Sequence, residues 1–226
     1  MTTKTLPRFE LESAPRPTAS VIMLHGLGAS GHDFASLVPE LDLHGCQDIR
    51  FVFPHAPKMA VSINAGYVMP AWYDIRDEDL TSGHDAAGIQ NSELAIAALI
   101  RNEMDRGIAS ENIVLAGFSQ GAAMALHTGL RLASPLAGIV ALSGYLPLAE
   151  RLPLERNHAN ATTPIFMAHG LQDTVVIPER GEASRDTLLG LGYAVEWKAY
   201  ATEHNVIPEE VDDLAKYLQR VLPASR

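Results

Sequence analysis

The chain has 226 residues, 47% of them hydrophobic and 19% charged, which excludes intrinsic disorder and leaves ample material for a full core. Its 17 basic and 27 acidic residues give a net charge of −10, and no Lys/Arg cluster offsets it, so nucleic acid is a poor match as a partner. No uninterrupted apolar stretch approaches the ~18 residues of a spanning helix, so no integral membrane segment is expected.

In chain order, the opening MTTKTLPRFE has no apolar core of a secretory signal. Phe9–Glu12 is a weak candidate for an edge strand, and Val21–Leu24 is a short apolar strand. Phe34, Leu37, Val38 and Leu41 fall at i, i+3, i+4 and i+7, a helical spacing. Cys46 is the single cysteine, which rules out an intrachain disulfide framework. The expectation is an acidic, cytoplasmic protein.

Arg50–Phe53 is the next strand. Residues 55–86 then lapse from any clean period, too long a stretch for an ordinary loop. They carry Met59, Ile63, Tyr67, Met69, Trp72 and Tyr73, too apolar to be left in water. Irregular packing over a sheet edge, a wall over a binding cleft and a contact in a homodimer are the alternatives. Regularity resumes with a helix over Ser92–Arg106, a strand over Asn112–Ala116 and a helix over Gln120–Leu132. Strands follow at Gly138–Leu142, Ile165–Ala168 and Ala194–Tyr200. Val211, Leu214, Ala215 and Leu218 define a last helix, opened by Pro208 with Glu209, Glu210 and Asp212 in its first turns. Several strands are apolar throughout, as strands covered on both faces must be. Alternating strands and helices predict an α/β protein with a mostly parallel sheet and right-handed crossovers. No composition break divides the chain, so residues 1–226 are expected to form a single domain.

The sharpest local motif is Gly117-Phe118-Ser119-Gln120-Gly121, set between the strand ending at Ala116 and the helix starting at Gln120. That setting puts Ser119 on a strand-to-helix turn that lifts its oxygen above the sheet, with glycines where side chains would collide. The bland alternative is a serine that caps the helix. A nucleophilic serine needs a base, and the base an orienting carboxylate; in this arrangement they follow it in chain order, beyond strand tips. Asp173 follows Ile165–Ala168 in His169-Gly170-Leu171-Gln172-Asp173, and His204 follows Ala194–Tyr200. Among nine histidines only His204 has both the order and the location.

Acyl transfer also needs N–H donors for a developing oxyanion. Gln120 N–H, after Ser119, is one. Leu27 N–H is the candidate for the other, in the glycine-rich His25–Gly31 loop after the first apolar strand. Gly26, Gly28 and Gly31 also match G-x-G-x-x-G. No acidic residue ends the second strand, where Phe53 is followed by Pro54-His55, and this argues against a dinucleotide loop. All the chemistry is supplied by side chains and backbone, so no metal or organic cofactor is expected.

Together, HGLGASG at 25–31, FPHAP at 53–57, AWYDI at 71–75, AGFSQGAAMAL at 116–126, LSGYLP at 142–147, HGLQDTVV at 169–176 and H-x-x-x-x-E-E at 204–210 resemble the phospholipase/carboxylesterase group of α/β-hydrolases, which includes bacterial carboxylesterases and acyl-protein thioesterases. The resemblance implies an α/β-hydrolase fold with helices on both faces of the sheet. It implies Ser119 as nucleophile, Asp173 as acid, His204 as base and Leu27 and Gln120 as oxyanion donors. It also implies an acyl pocket near Met69, Trp72, Tyr73, Leu171 and Val175. The expected activity is cleavage of short- to medium-chain carboxylic esters, with protein palmitoyl thioesters or lysophospholipids as the alternative and a non-enzymatic binding protein on the same fold as a third reading. Partners would be small-molecule or lipid esters, or an acylated protein. Three places depart from the family's commonest pattern. Ala29 stands where Asp is frequent, Glu203 stands where Gly is usual, and HGLQD follows only the looser HG-x-x-D rule. A carboxylate at 203 would raise the pKa of His204 if it pointed inward.

Overall fold

Within the apolar runs, successive side chains alternate between two covered faces, and this decides the architecture. The computed structural model describes residues 6–77 and 83–224. In chain order they form β1 (Arg8–Glu12), β2 (Ala19–Leu24), β3 (Ile49–Pro54), β4 (Lys58–Val61), β5 (Tyr67–Pro70), α1 (Ala86–Asp105), β6 (Ile113–Phe118), α2 (Gln120–Arg131), β7 (Gly138–Leu142), the single turn α3 (Leu152–Glu155), β8 (Ile165–Gly170), α4 (Pro178–Gly190), β9 (Val195–Tyr200) and α5 (Pro208–Val221). Seven strands make one sheet in the order β1-β3-β2-β6-β7-β8-β9. β1 runs antiparallel to β3, and every other neighbour is parallel. This is an α/β-hydrolase fold.

On one face Ile22, Leu24, Leu115, Ile139 and Met167 meet Ile89, Ile96 and Leu99 of α1 and the Ala122–Leu126 run of α2. On the other, Val21, Met23, Val114, Val140 and Phe166 meet Leu214, Tyr217 and Leu218 of α5. From β2 the chain goes outward to β3 on one side, and later to β6 on the other. That divergence opens a crevice at the carboxyl ends of β2 and β6, where α/β sheets bind ligands. Among the described residues no helix is long and apolar enough to cross a membrane.

Three local expectations change, and one helix, α4, was not among those expected. The Phe34–Leu41 spacing forms a 3-10 helix, Ala35–Glu40, rather than an α-helix, because Pro39 lies inside it and cannot donate a backbone hydrogen bond. Phe34, Val38 and Leu41 still pack on the sheet. α1 starts six residues before Ser92, capped by Asp85, whose carboxylate accepts from Gly88 N–H. The 55–86 segment contains the hairpin β4–β5, too short for its alternation to stand out; residues 78–82 lie outside the described residues. α4, from Pro178, lacks an apolar stripe: it buries only Gly181, Ser184 and Leu188.

Candidate active site

Ser119 sits between β6 and α2 with φ 55° and ψ −120°, a conformation L-residues rarely adopt. Two close backbone approaches make the turn possible. A Cβ on Gly117 would lie 2.2 Å from the Gly121 carbonyl oxygen, and one on Gly121 would lie 2.1 Å from the Leu24 carbonyl oxygen. Glycine at both positions lets α2 start directly against the end of β2. Ser143, the other serine at a strand end, has 0% exposure and is enclosed.

The loops after β8 and β9 bring Asp173 and His204 to this turn. His204 Nε2 is 2.9 Å from Ser119 Oγ, and His204 Nδ1 is 2.6 Å from Asp173 Oδ2. A carboxylate oxygen accepts, so Nδ1–H donates to Asp173 and Nε2 is left to accept the Ser119 hydroxyl. The second oxygen, Asp173 Oδ1, accepts from the N–H groups of Val175 and Val176 at 2.8 and 2.9 Å. The buried carboxylate is thus held from two sides. Phe118 packs on the His204 ring at 4.8 Å between centroids.

The competing groups do not reach Ser119. His169 Nε2–H donates to Val176 O at 2.7 Å and lies 3.5 Å from Asp173 Oδ2, and burial pushes its pKa down. Asp186 lies on α4, exposed and paired with Arg185. Glu203 is exposed.

Leu27, Ser119 and Gln120 line one cavity of about 600 Å³, with Ile63, Asn64 and Ile75 on one side and Tyr145, Thr174, Val175, Val176, Ile177 and Arg180 among its other lining residues. Of the residues expected around an acyl group, Val175 lines this cavity and Leu171 is exposed on the β8–α4 loop. Met69 lies beside the Leu27 loop, its Sδ 3.6 Å from where a Cβ on Gly28 would be. Trp72 and Tyr73 are elsewhere than expected. They are 0% and 1% exposed and belong to the core between sheet and α1, because each carries polar atoms that find partners there. Trp72 Nε1–H donates to His25 O, and Tyr73 Oη lies 2.7 Å from Tyr145 Oη. Ile75, Tyr145 and Ile177 were not singled out from sequence. Ile63 was named among the apolar residues of the 55–86 segment, for which a cleft wall was one of the alternatives, and it lines this cavity.

A serine hydroxyl hydrogen-bonded to an imidazole that is itself oriented by a buried carboxylate can be deprotonated as it attacks a carbonyl carbon. This fold and this constellation define the hydrolase class. The chain belongs to the phospholipase/carboxylesterase family of ester hydrolases, whose sequence profile matches residues 9–222. It is 41% identical over 220 residues to acyl-protein thioesterase 1 of Gibberella zeae, covering 93% of this chain and 94% of that one. Its structure is similar to that of acyl-protein thioesterase 2 of Zea mays, with a TM-score of 0.83 and 31% identity, covering 95% of this chain and 99% of that one. It is also similar to Arabidopsis thaliana SOBER1, with a TM-score of 0.85 and 28% identity over 90% and 99% of the two chains.

Proposed function

We propose that this protein is a serine hydrolase that cleaves acyl thioesters carried by protein cysteines, and the corresponding oxygen esters, through an acyl-Ser119 intermediate. The observation that carries the hydrolase reading is the hydrogen-bonded series Ser119 Oγ, His204 and Asp173. The preference for a protein-borne thioester is supported by the likeness to acyl-protein thioesterase 1 of Gibberella zeae and acyl-protein thioesterase 2 of Zea mays, and it reverses the order of the two activities that the family resemblance implied. The apolar side chains of Ile63, Ile75, Val175 and Ile177 along the cavity suit an acyl chain.

His204 takes the Ser119 proton as Oγ attacks the acyl carbon, and the oxyanion that forms accepts from the N–H groups of Leu27 and Gln120. Asp173 holds the His204 tautomer and stabilises the imidazolium. His204 returns the proton to the leaving thiol, the carbon–sulfur bond breaks, and water repeats the attack on the acyl-serine. Free acid leaves and Ser119 is restored.

The test pairs two substrates and one variant. A palmitoylated cysteine peptide and p-nitrophenyl butyrate are assayed side by side, each below its aggregation concentration. Ser119→Ala should lower turnover of both by about 10⁴-fold or more, and a fluorophosphonate should label Ser119 in the wild type. A higher kcat/KM on the short ester than on the peptide would restore the small-ester carboxylesterase reading. Activity retained in S119A would remove the serine-hydrolase reading itself.

A further inference from the structure

Trp72 is fully buried, yet every polar atom it has is hydrogen-bonded. Its backbone N–H donates to Gln120 Oε1 at 2.9 Å, its indole N–H donates to His25 O at 2.8 Å, and its carbonyl accepts from Ser92 Oγ. The two donated bonds run to the two segments that carry the Leu27 and Gln120 N–H groups.

On the Leu27 side, the parallel ladder between β2 and β6 ends at Leu24 and Gly117, so the sheet does not fix the His25 peptide. The indole does. The next carbonyl, that of Gly26, lies 2.7 Å from His25 Nδ1, while His25 Nε2 accepts from Ala56 N–H at 3.0 Å. A neutral imidazole that accepts at Nε2 carries its proton on Nδ1, so His25 donates to Gly26 O. The Gly26–Leu27 peptide is planar and trans, and its N–H points opposite to its carbonyl. Held by His25 and, at 3.2 Å, by Ala29 N–H, the Gly26 carbonyl fixes the direction of the Leu27 N–H. On the other side, Gln120 Nε2 donates to Tyr73 O at 2.8 Å, so the Gln120 side-chain amide is clamped between the backbone of Trp72 and that of Tyr73. Its own peptide N–H opens α2 next to Ser119.

We propose that Trp72 is a positioning residue of the site: it braces the loop carrying the Leu27 N–H against the turn carrying the Gln120 N–H and so sets the gap in which an oxyanion is held. This rests on the serine-hydrolase reading above. A phenylalanine would keep an aromatic ring in the core but with less volume and no donor; only the indole N–H reaches the His25 carbonyl. Trp72 touches no reacting atom and acts through His25 and Gln120.

The test uses Trp72→Phe, which keeps an aromatic ring and removes the indole donor together with part of the ring volume, and Gln120→Met, which keeps the backbone N–H and removes the clamped amide without a large change of volume. A donor displaced by a fraction of an ångström to 1 Å costs up to about 100-fold, so each variant should lose roughly 10- to 100-fold in kcat on p-nitrophenyl butyrate with KM within about twofold. Affinity for an alkyl trifluoromethyl ketone, whose hemiketal oxyanion needs the same two N–H groups, should fall by the same factor. A residue that merely stabilises the fold would lower the melting temperature and leave kcat and inhibitor affinity per folded molecule unchanged, and that outcome overturns the proposal. So does a raised KM with unchanged kcat, or a shifted acyl-length preference, which would make Trp72 part of the acyl wall. If W72F does not fold, Q120M decides by the same criteria. A wild type that turns over neither ester nor thioester overturns the serine-hydrolase reading and this proposal with it; an active wild type with unaffected variants overturns this proposal alone.

Discussion

Gly121→Ala tests whether the approach of α2 to β2 sets the reacting geometry. A methyl group at this position would lie 2.1 Å from the Leu24 carbonyl oxygen, 2.6 Å from the Leu24 carbonyl carbon and 2.7 Å from the His25 carbonyl oxygen. Carbon and oxygen normally meet no closer than about 3.3 Å, so roughly 1 Å of movement is required. None of the three atoms belongs to a side chain that could rotate away. Leu24 ends a strand held between β3 and β6, and His25 O is fixed by the Trp72 indole. The helix must therefore give way, carrying Gln120 and Ser119 with it and widening the gap between Ser119 and the Leu27 loop. A displacement of about 1 Å at reacting atoms costs on the order of 10²-fold in rate, and overpacking a filled site costs about 1–3 kcal/mol of stability.

The assay is kcat and KM on p-nitrophenyl butyrate, with the rate of fluorophosphonate labelling at Ser119 and the melting temperature measured on the same protein. The expected result is a fall of about 100-fold in kcat and in labelling rate, at a temperature where the variant is fully folded. A G121A protein with kcat within about threefold of wild type would refute the reasoning. It would mean that the turn tolerates a displaced helix, and that the Ser119 geometry is not set by this approach.

Two further outcomes concern stability. Glu210 is 1% exposed in the first turn of α5, and burial pushes its pKa up to about 8 from an ordinary 4.5, so the folded protein binds a proton there that the unfolded chain has released. The stability this proton supplies is complete below pH ~4.5 and lost as pH rises toward ~8, by about 1.4 kcal/mol per unit at most; Glu210→Gln should flatten melting temperature against pH across 5–8, and an unchanged slope would contradict it. Gly190 ends α4 with open space around its Cα, so Gly190→Ala should raise stability by about 0.5–1 kcal/mol in urea titration and leave kcat unchanged.

The sheet was legible because its five inner strands are covered on both faces and therefore read as apolar runs, and the strand ends drew attention to Ser119, Asp173 and His204. The fold links those three in series, Ser119 to His204 and His204 to Asp173, by hydrogen bonds. Helix α4 was not legible. Its exposed face is rich in Glu, Arg and Thr, and its inner face presents Gly181 and Ser184 to the sheet, so no 3.6-residue apolar stripe exists to be seen. The Phe34–Leu41 stripe was visible, but its helix type was not, because spacing alone does not register the backbone donor that Pro39 removes. In the 55–86 segment the surplus of apolar residues was plain, while their direction was not. Hydrophobicity says that a side chain leaves water; it does not say whether it lines a cavity or enters the core.

Trp72 shows why that distinction matters for function. An aromatic residue close in space to a nucleophile can affect turnover in two ways, by touching the acyl group or by holding the groups that do the chemistry. These separate physically, because a wall contact is made in ground state and transition state alike, whereas an aligned oxyanion donor acts mainly when charge develops on oxygen. On the proposed reading the two jobs fall to different surfaces. Ile63, Val175 and Ile177 border the cavity and are 38%, 64% and 43% exposed, so they are free to meet chains of different length. Trp72, Gln120 and His25 lie behind it, at 0%, 2% and 1% exposure, with their polar atoms committed to one another and to backbone. A buried polar network of this kind tolerates little rearrangement, since any broken pair leaves a desolvated group without a partner. On the proposed reading, acyl preference can therefore drift by substitution along the cavity while the oxyanion geometry stays fixed behind it.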